Sequence, residues 1–372
     1  MGTTTVSSPV EAVRLADPYP YYARLVAERP FARDEALGAW VAADAAAVRA
    51  VLGSGALRVR PVAEPVPAGI AGTAAGEVFG ELVRMTDGAP AARLKGIVAG
   101  ALARADTAYA ASLAARLTRE ALAAGGDVPY EELMFAVPAR VVAELSGLTE
   151  GAGREAARAI GDFVQCIPAG ATPEQQKAAA VAAERLRGLL GPALTPARGL
   201  LRELVTAAER DGWPHLGPLL SNAIGFLSQT YDATAGLIGN TLVALARGAD
   251  GQDTEALVRE VVRHDAPIQN TRRFAAEPFT HAGSTVEPGQ QVLVLLAAAN
   301  RDPAVNPDPH ALTPGRVNPA VFTFGAAAHR CPGAELATAL ATAVVTELRA
   351  AGLGTTATPA YRPLANARIP LL

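Results

Sequence analysis

Residues 322–333 read FTFGAAAHRCPG and run directly into AELATALA, residues 334–341, so Cys331 lies in a loop of small residues just before a helix-like stretch. The backbone N–H groups and the dipole of a helix N-terminus stabilise a negative sulfur. Small residues let the backbone approach a flat, bulky partner. Because cysteine thiolate is one of the few side chains that haem iron accepts, a loop of this kind could hold iron through sulfur.

Composition limits the possible partners of the chain. It has 372 residues, 50% hydrophobic and 19% charged, with a net charge of -3. These values are typical of a globular protein and give no electrostatic reason to expect nucleic acid or an anionic membrane as a partner. Met1–Pro20 has no apolar run flanked by positive charge, so we expect a cytoplasmic chain with no signal peptide and no membrane span. Cys166 and Cys331, 165 positions apart, are expected to be reduced, and Cys166 to be a partly buried free thiol.

Hydrophobic periodicity predicts a mainly helical fold with a smaller β component. Short strands are expected at 39–42 and within 272–298, and a loop rich in proline and glycine at 60–76. Helices are expected from Asp44, over 77–122, over 131–148 and 150–163, from Thr172, and over 253–264. The longest is 216–247, which would span roughly 45–50 Å at 1.5 Å per residue.

The centre of this long helix is polar, with Ser228, Gln229, Thr230, Tyr231, Asp232 and Thr234 in close succession. An acid and a hydroxyl cost helix propensity in a helix interior. They could relay protons to a buried reaction centre, or they could mark a kink with satisfied side-chain hydrogen bonds. Taken alone, the residues leave both readings open.

Glu260 and Arg263 are three residues apart, on one face of a predicted helix, where they can pair. In isolation this spacing is typical of an exposed ion pair of little energetic weight. The four histidines at 215, 264, 281 and 310 have no metal-ligand spacing, so no metal site is predicted from them.

Taken together and in order, these motifs resemble the soluble bacterial cytochromes P450. The cysteine loop is similar to the family's haem-thiolate signature in Phe324, Gly325, His329, Cys331 and Gly333, with Ala327 where glycine is usual. Further matches are Glu260 and Arg263 in the Glu-x-x-Arg helix, Arg273, the segments 267–273 and 296–303, and the oxygen-binding helix at 232–240. The resemblance implies one P450 domain over 1–372, organised around a long central oxygen-binding helix. It also implies haem b with Cys331 as iron ligand and contacts from His329, Arg273, Lys95, Phe324, Gly325 and Gly333.

The sequence departs from the family at the centre of the oxygen-binding helix. Ala233 replaces the threonine that serves in oxygen activation, and Thr230 replaces the glycine that makes room for dioxygen. Thr234 comes one position late, a rotation of about 100° that only a helix bulge would correct. Asp232, Thr230, Thr234, Gln229 and Ala233 are therefore the candidate catalytic residues.

Contacts to the haem and in the segment before the cysteine loop also differ from the family. Ala91 and Lys95 stand where a histidine and an arginine are frequent, and lysine lacks the bidentate fork of arginine. Ala311 stands where an arginine usually joins Glu260 and Arg263, and we expect His310 to compensate in part.

The implied function is a haem-thiolate monooxygenase acting on a small, polar-decorated natural-product intermediate beneath the long helix. Two alternatives stay open: non-monooxygenase haem chemistry, such as oxidative coupling or a peroxide-driven or nitrogen-centred reaction, and a catalytically silent haem-binding scaffold. Ferredoxin and ferredoxin reductase are the expected electron donors, with docking near Arg93, Lys95 and Arg330, and the protein is expected to be a monomer. Candidate pocket residues are Ile268, Gln269, Asn270 and Asn366, with the loops 61–80 and 164–175.

Overall fold

The computed structural model describes residues 8–125, 127–168, 170–249, 251 and 253–372. They divide into two compact units, each built from several chain segments. The first unit comprises the described residues up to Val62, with Gly236–Cys331 and Leu353–Leu372; the second comprises Ala63–Ala235 and Pro332–Gly352. That residues 1–372 form a single domain stays a prediction, and its first seven residues lie outside the described ranges.

The fold is mainly helical, as the sequence predicts, and in chain order its helices have the following bounds. They are α1 Pro9–Ala12, α2 Tyr19–Glu28, α3 Ala45–Gly53, α4 Ala74–Glu81, α5 Ala89–Leu102, α6 Thr107–Ala123, α7 Val137–Leu145, α8 Glu150–Val164, α9 Pro173–Leu190, α10 Gly199–Asp211, α11 Leu216–Ala244, α12 Thr254–His264, α13 Leu296–Asn300 and α14 Ala334–Ala350. Single π-helical turns precede α7 at Glu132–Ala136 and follow α11 at Leu245–Ala249. Within the described part of the chain, no helix is long and apolar enough to cross a membrane.

Side-chain caps explain where many of these helices begin. The side chains of Asp44, Thr73, Asp106, Thr149 and Asp253 each accept a hydrogen bond from the backbone N–H three residues on. Such caps satisfy N–H groups that have no partner inside the helix. The predicted start of α9 is confirmed, because Thr172 is the N-cap directly before Pro173 and forms a capping box with Gln175.

A five-stranded sheet organises the first unit. Its strands lie in the order β1 (Phe31–Asp34), β2 (Ala39–Ala42), β7 (Gln291–Val294), β4 (Thr271–Ala275) and β3 (Leu57–Arg58). Only β2 and β7 pair in parallel, with Trp40 opposite Val292. The strands β5 (Phe279–His281) and β6 (Ser284–Val286) form a separate hairpin. Two clusters of buried apolar side chains belong to this unit, one with Val48, Val292 and Phe322 among its members and one around Tyr22 and Leu293.

The second unit is built from helices packed on helices. The pairs α6–α14, α8–α9, α5–α10, α7–α8 and α4–α9 pack against each other. The segment 61–80 was predicted to be a loop. The prediction is wrong for its last seven residues, which belong to α4. The predicted helical stretch 77–122 is three helices, broken at 82–88 and 103–106. In the predicted loop 164–175, Ala169 lies outside the described residues and α9 begins at Pro173.

Candidate functional site

The cysteine loop is held by its own backbone. The backbone N–H of Cys331 donates to Phe324 O at 2.7 Å, and that of Gly325 donates to Phe322 O at 2.7 Å. A 3-10 turn at Ala327–His329 lies between them and packs against α3. Cys331 is half-buried, and α14 begins three residues later at Ala334. The loop therefore fixes the position of a thiol that is neither sealed in the core nor fully exposed.

Two residues of this loop have left-handed backbone. Gly325 has a φ of 68°, and a Cβ placed there would lie 3.3 Å from His329 O, so glycine is the residue that fits. Ala327 has a φ of 51°, in a region that side-chain-bearing residues rarely adopt. The alanine that departs from the family pattern thus occupies a backbone conformation suited to glycine, at some cost in strain.

Glu260 and Arg263 are a fully buried pair and not the exposed pair that their spacing alone indicated. The guanidinium of Arg263 donates to both carboxylate oxygens of Glu260, at 2.5 and 3.0 Å, and is 0% exposed. It also donates to the backbone oxygens of Asn300, Pro309 and Ala311. The pair therefore ties α12 to the irregular segment before the cysteine loop, and it satisfies the carbonyls that this segment would otherwise bury without partners.

The arginine missing at Ala311 is supplied from another position. The guanidinium Nε of Arg316 lies 3.5 Å from Glu260 Oε1, and its other nitrogens donate to Pro307 O, Asp308 O and Ala311 O. His310 is exposed, and the contact that joins it to α12 is its backbone oxygen, 2.9 Å from His264 Nε2. The expectation that His310 compensates was therefore wrong; Arg316, five residues later than Ala311, does so.

The groups in the first unit that could hold a haem are Cys331, Arg273 and His329. Arg273 is 5% exposed in β4, where its Nη1 donates to Arg272 O at 2.8 Å. A soft sulfur on a fixed loop, with a buried guanidinium and an imidazole, is a donor set that suits an iron porphyrin with anionic side groups. A Cβ at Gly333 would meet no atom within 4 Å, and the contacts of Gly325 and Gly333 with haem stay a prediction. Lys95 is half-buried on α5 in the second unit, and Phe324 is half-buried.

The centre of α11 is distinguished by its exposure. Residues 221–228 and 234–243 are buried, while the five residues between them, 229–233, are all partly exposed. Five consecutive residues cover every face of a helix. The candidate catalytic residues Gln229, Thr230, Asp232 and Ala233 therefore lie on the least buried stretch in the middle of α11.

The two threonine hydroxyls near this centre have different surroundings. The hydroxyl of Thr230 donates to Phe226 O at 2.7 Å, so its proton is engaged by the helix backbone. Thr234 is 0% exposed, and its Oγ1 has no hydrogen-bond partner among the described residues. Since α11 is α-helical without interruption from Leu216 to Ala244, no bulge rotates Thr234 onto the face of Ala233. Tyr231 packs its ring against Phe135, with ring centroids 4.9 Å apart.

The predicted pocket residues of the first unit have structural contacts. Gln269 is 0% exposed, and its Nε2 donates to Ala266 O at 2.7 Å and to the Tyr19 hydroxyl at 3.3 Å. Asn270 is also buried and donates to Ala365 O at 2.8 Å. Ile268 forms a β-bridge with Ala367, and the exposed Asn366 accepts from the backbone N–H of Gln269. Their role in substrate binding stays a prediction.

The sequence reading missed a buried charged cluster in the first unit. Arg368 is 1% exposed; it pairs with Asp265 at 2.8 Å and donates to the backbone oxygens of Val13, Leu15 and Ala16. The Tyr19 hydroxyl donates to the same carboxylate at 3.0 Å, and burial raises the pKa of Tyr19. Burial, with the nearby cation of Arg301, lowers the pKa of His264 to about 4. Nothing in the local sequence around Arg368, five residues after Pro363, would have indicated this cluster.

Two cationic or nucleophilic side chains of the second unit have local partners. Arg93 pairs with Asp211 at 2.5 Å and lies over the Trp213 ring, so much of its charge is neutralised. Cys166 is 3% exposed and its thiol donates to Phe163 O at 3.2 Å, while burial raises its pKa to about 11. Cys166 is therefore a structural thiol, more completely buried than the sequence indicated.

The chain is similar in sequence to known proteins. The family model described as Cytochrome P450 matches residues 253–358. The chain is 32% identical to the cytochrome P450 monooxygenase PikC of Streptomyces venezuelae, over 56% of the chain and 52% of that protein. It is 31% identical to the 6-deoxyerythronolide B hydroxylase of Saccharopolyspora erythraea, over 60% of the chain and 58% of that protein. These matches span only about half the length of the curated relatives.

The structural match is more extensive. The crystal structure of CalO2 aligns with a TM-score of 0.84 and 25% identity, covering 97% of this chain and 95% of that one. The Cytochrome P450 family model matches the part of the chain that holds Glu260, Arg263 and the cysteine loop, and the fold of the chain is similar to that of CalO2.

Proposed function

We propose that the protein is a haem-thiolate monooxygenase that oxidises a small natural-product intermediate bearing polar groups. The observation that carries the proposal is the cysteine loop, which fixes a half-buried thiol by the hydrogen bond from Cys331 N–H to Phe324 O. Two relatives, by their names a monooxygenase and a hydroxylase, support this class of reaction. The name of the second also states a substrate, 6-deoxyerythronolide B.

In this proposal Cys331 would hold the haem iron, and Arg273 and His329 would contact the propionates of haem b. When bound, haem supplies the capacity to activate dioxygen and to insert one oxygen atom into a C–H bond. The residues of this chain position substrate and move protons. Asp232, on the partly exposed stretch of α11, is the acid from which protons are delivered. The hydroxyl of Thr230 donates its hydrogen to Phe226 O, so on this stretch of α11 its oxygen serves as a hydrogen-bond acceptor.

Electrons come from a ferredoxin and its reductase. Lys95 and the exposed Arg330 are each a candidate contact for an acidic partner. Attraction between opposite charges would raise the rate at which that partner associates. Arg93 contributes less than its sequence position indicated, because Asp211 already neutralises it.

A second candidate is a peroxide-driven or other non-monooxygenase reaction of the same haem, and the centre of α11 favours it. Ala233 has no hydroxyl, and the hydroxyl of Thr234 is buried on an unbulged helix. A reaction that starts from peroxide needs fewer proton deliveries than one that starts from dioxygen.

The experiment uses the holoenzyme and a fluorogenic probe, 7-ethoxycoumarin, whose dealkylation is followed by fluorescence. One arm supplies dioxygen with a surrogate ferredoxin and reductase; the other supplies hydrogen peroxide alone. Faster product formation in the first arm, with more product per electron in Ala233→Thr, supports the monooxygenase. Product only with peroxide supports the second candidate. Haem binding with no product in either arm, for this probe and for a panel of polar natural products, contradicts both and indicates a silent haem-binding protein.

A further inference from the structure

A remote backbone segment is clamped onto α11 by one buried side chain. Asn222, which is 1% exposed, donates from Nδ2 to Glu81 O at 2.9 Å and accepts at Oδ1 from the backbone N–H of Val83 at 3.1 Å. Its second Nδ2 hydrogen goes to Pro218 O at 2.8 Å, one turn back in α11. Because one neighbour is a carbonyl and the other an N–H, the amide has only one orientation that satisfies both. The segment 81–83 is thereby held on the helix.

The clamp places Leu82 over a glycine. A Cβ added at Gly225 would lie 2.9 Å from Leu82 Cδ2 and 3.1 Å from Gln229 Nε2, closer than side chains normally approach. Asn222, Gly225 and Gln229 follow one another at i, i+3 and i+7, and so share one face of α11. Leu82 is 0% exposed, and its side chain occupies the space that a Cβ at Gly225 would need.

Gln229 is restrained as a result. Its Nε2 donates to Gly225 O at 3.0 Å, which fixes the amide with its nitrogen towards the helix backbone. A flipped amide would set two oxygens against each other. The remaining polar atom, Oε1, makes no hydrogen bond with the described residues, and Gln229 begins the partly exposed stretch 229–233.

We propose that Asn222 and Gly225 are positioning residues for Gln229, and that Gln229 Oε1 accepts a hydrogen bond from an N–H or O–H group of the substrate. This rests on the proposed function, because it places the substrate beside the centre of α11. It narrows the substrate class to molecules with a donor group near the oxidised position.

The test uses the holoenzyme and a matched probe set. The set is 4-phenylimidazole and its three derivatives with one hydroxyl at the ortho, meta or para position of the phenyl ring. Imidazole nitrogen binds the iron and shifts the Soret band, so each affinity is read spectroscopically. We expect at least one hydroxyl derivative to bind about three- to tenfold more tightly than 4-phenylimidazole. This is the ratio of dissociation constants that one additional hydrogen bond produces. Gln229→Ala and Gly225→Ala should both abolish this advantage, while 4-phenylimidazole still binds.

A control variant separates positioning from general damage. Ser221→Ala removes the 2.6 Å bond to the Glu81 carboxylate but leaves both backbone bonds of Asn222, so it should keep the hydroxyl advantage. Asn222→Ala should lose it; where that variant does not fold, Gly225→Ala carries the test alone. The affinity ratio is the readout because loss of stability lowers both affinities together.

Two results overturn the inference: no hydroxyl derivative gains affinity, or the gain survives Gln229→Ala. Both leave the proposed function intact as long as 4-phenylimidazole shifts the Soret band. If no azole shifts it, the proposed function itself fails.

Discussion

The cysteine loop with its Glu260–Arg263 network and the centre of α11 show opposite relations to the family pattern. In the first region the charged side chains are buried and multiply bonded, and Arg316 takes the place of a missing arginine. In the second the polar side chains are bonded to their own helix, as Thr230 is to Phe226 O and Gln229 is to Gly225 O. The first region thus keeps a buried charged network although one arginine of the family pattern is absent, whereas the residues at the centre of α11 depart from that pattern.

The largest expected effect tests the first region. Arg263→Ala should lower the free energy of unfolding by about 3–5 kcal/mol, because it leaves the Glu260 carboxylate buried without its main partner. Arg259→Ala, which breaks an exposed pair with Glu255 on the same helix, should cost only about 0.5 kcal/mol. Chemical denaturation of both variants measures the difference. Equal small losses would show that the buried network does not hold this region together.

The pH dependence of stability offers the next test of the first region. The pKa of His264 is about 4 in the folded protein and near 6.5 when exposed, so the unfolded chain binds the proton first as pH falls. His264 therefore contributes stability above pH 6.5 that is lost between about 6.5 and 4. Denaturation midpoints across this range should fall less steeply in His264→Gln than in the native protein. A slope that is the same in both proteins would contradict the lowered pKa of His264.

A smaller effect tests how tightly the second region is packed. A methyl group at Gly161 on α8 would lie 2.8 Å from the Tyr231 hydroxyl, whose ring is already fixed against Phe135. Gly161→Ala should therefore destabilise by about 1–2 kcal/mol, despite the better helix propensity of alanine. Tyr231→Phe should restore the loss, since the next ring atom lies 3.3 Å away.

The control for this packing is a glycine with open space around it. Gly188→Ala on α9, where a Cβ meets nothing within 4 Å, should stabilise by about 0.5–1 kcal/mol. Thermal unfolding reports both positions. A stabilising Gly161→Ala would mean that Tyr231 is not confined, and that the centre of α11 is looser than its contacts indicate.

The smallest effect concerns the departure within the cysteine loop. Ala327→Gly should stabilise by about 0.5 kcal/mol, because relief of the left-handed strain at a φ of 51° exceeds the added backbone entropy of glycine. Ala328→Gly in the same 3-10 turn should instead lose about 0.5–1 kcal/mol. If both substitutions destabilise alike, the left-handed backbone at Ala327 carries no net strain.

Sequence patterns anticipated the features that depend on backbone rules. Asp44 and Thr172 cap helices as predicted, and the period of 216–247 indicated one long helix. Side-chain partners were harder to foresee, because they depend on which distant segment approaches. Neither the burial of Arg263 nor the clamp from Asn222 to Glu81 and Val83 leaves a local signal. For the same reason the sequence did not indicate Arg316 as the partner of Glu260, and His310, next to Ala311, was expected instead.

The central claim is that Cys331 binds haem iron through a thiolate, and a matched pair of cysteine variants tests it most directly. Reduced holoenzyme treated with carbon monoxide should give the thiolate-type Soret spectrum in the native protein and in Cys166→Ala, whose buried thiol donates to Phe163 O. Cys331→Ala should lose that spectrum completely. Retention of the thiolate-type spectrum in Cys331→Ala would contradict the account.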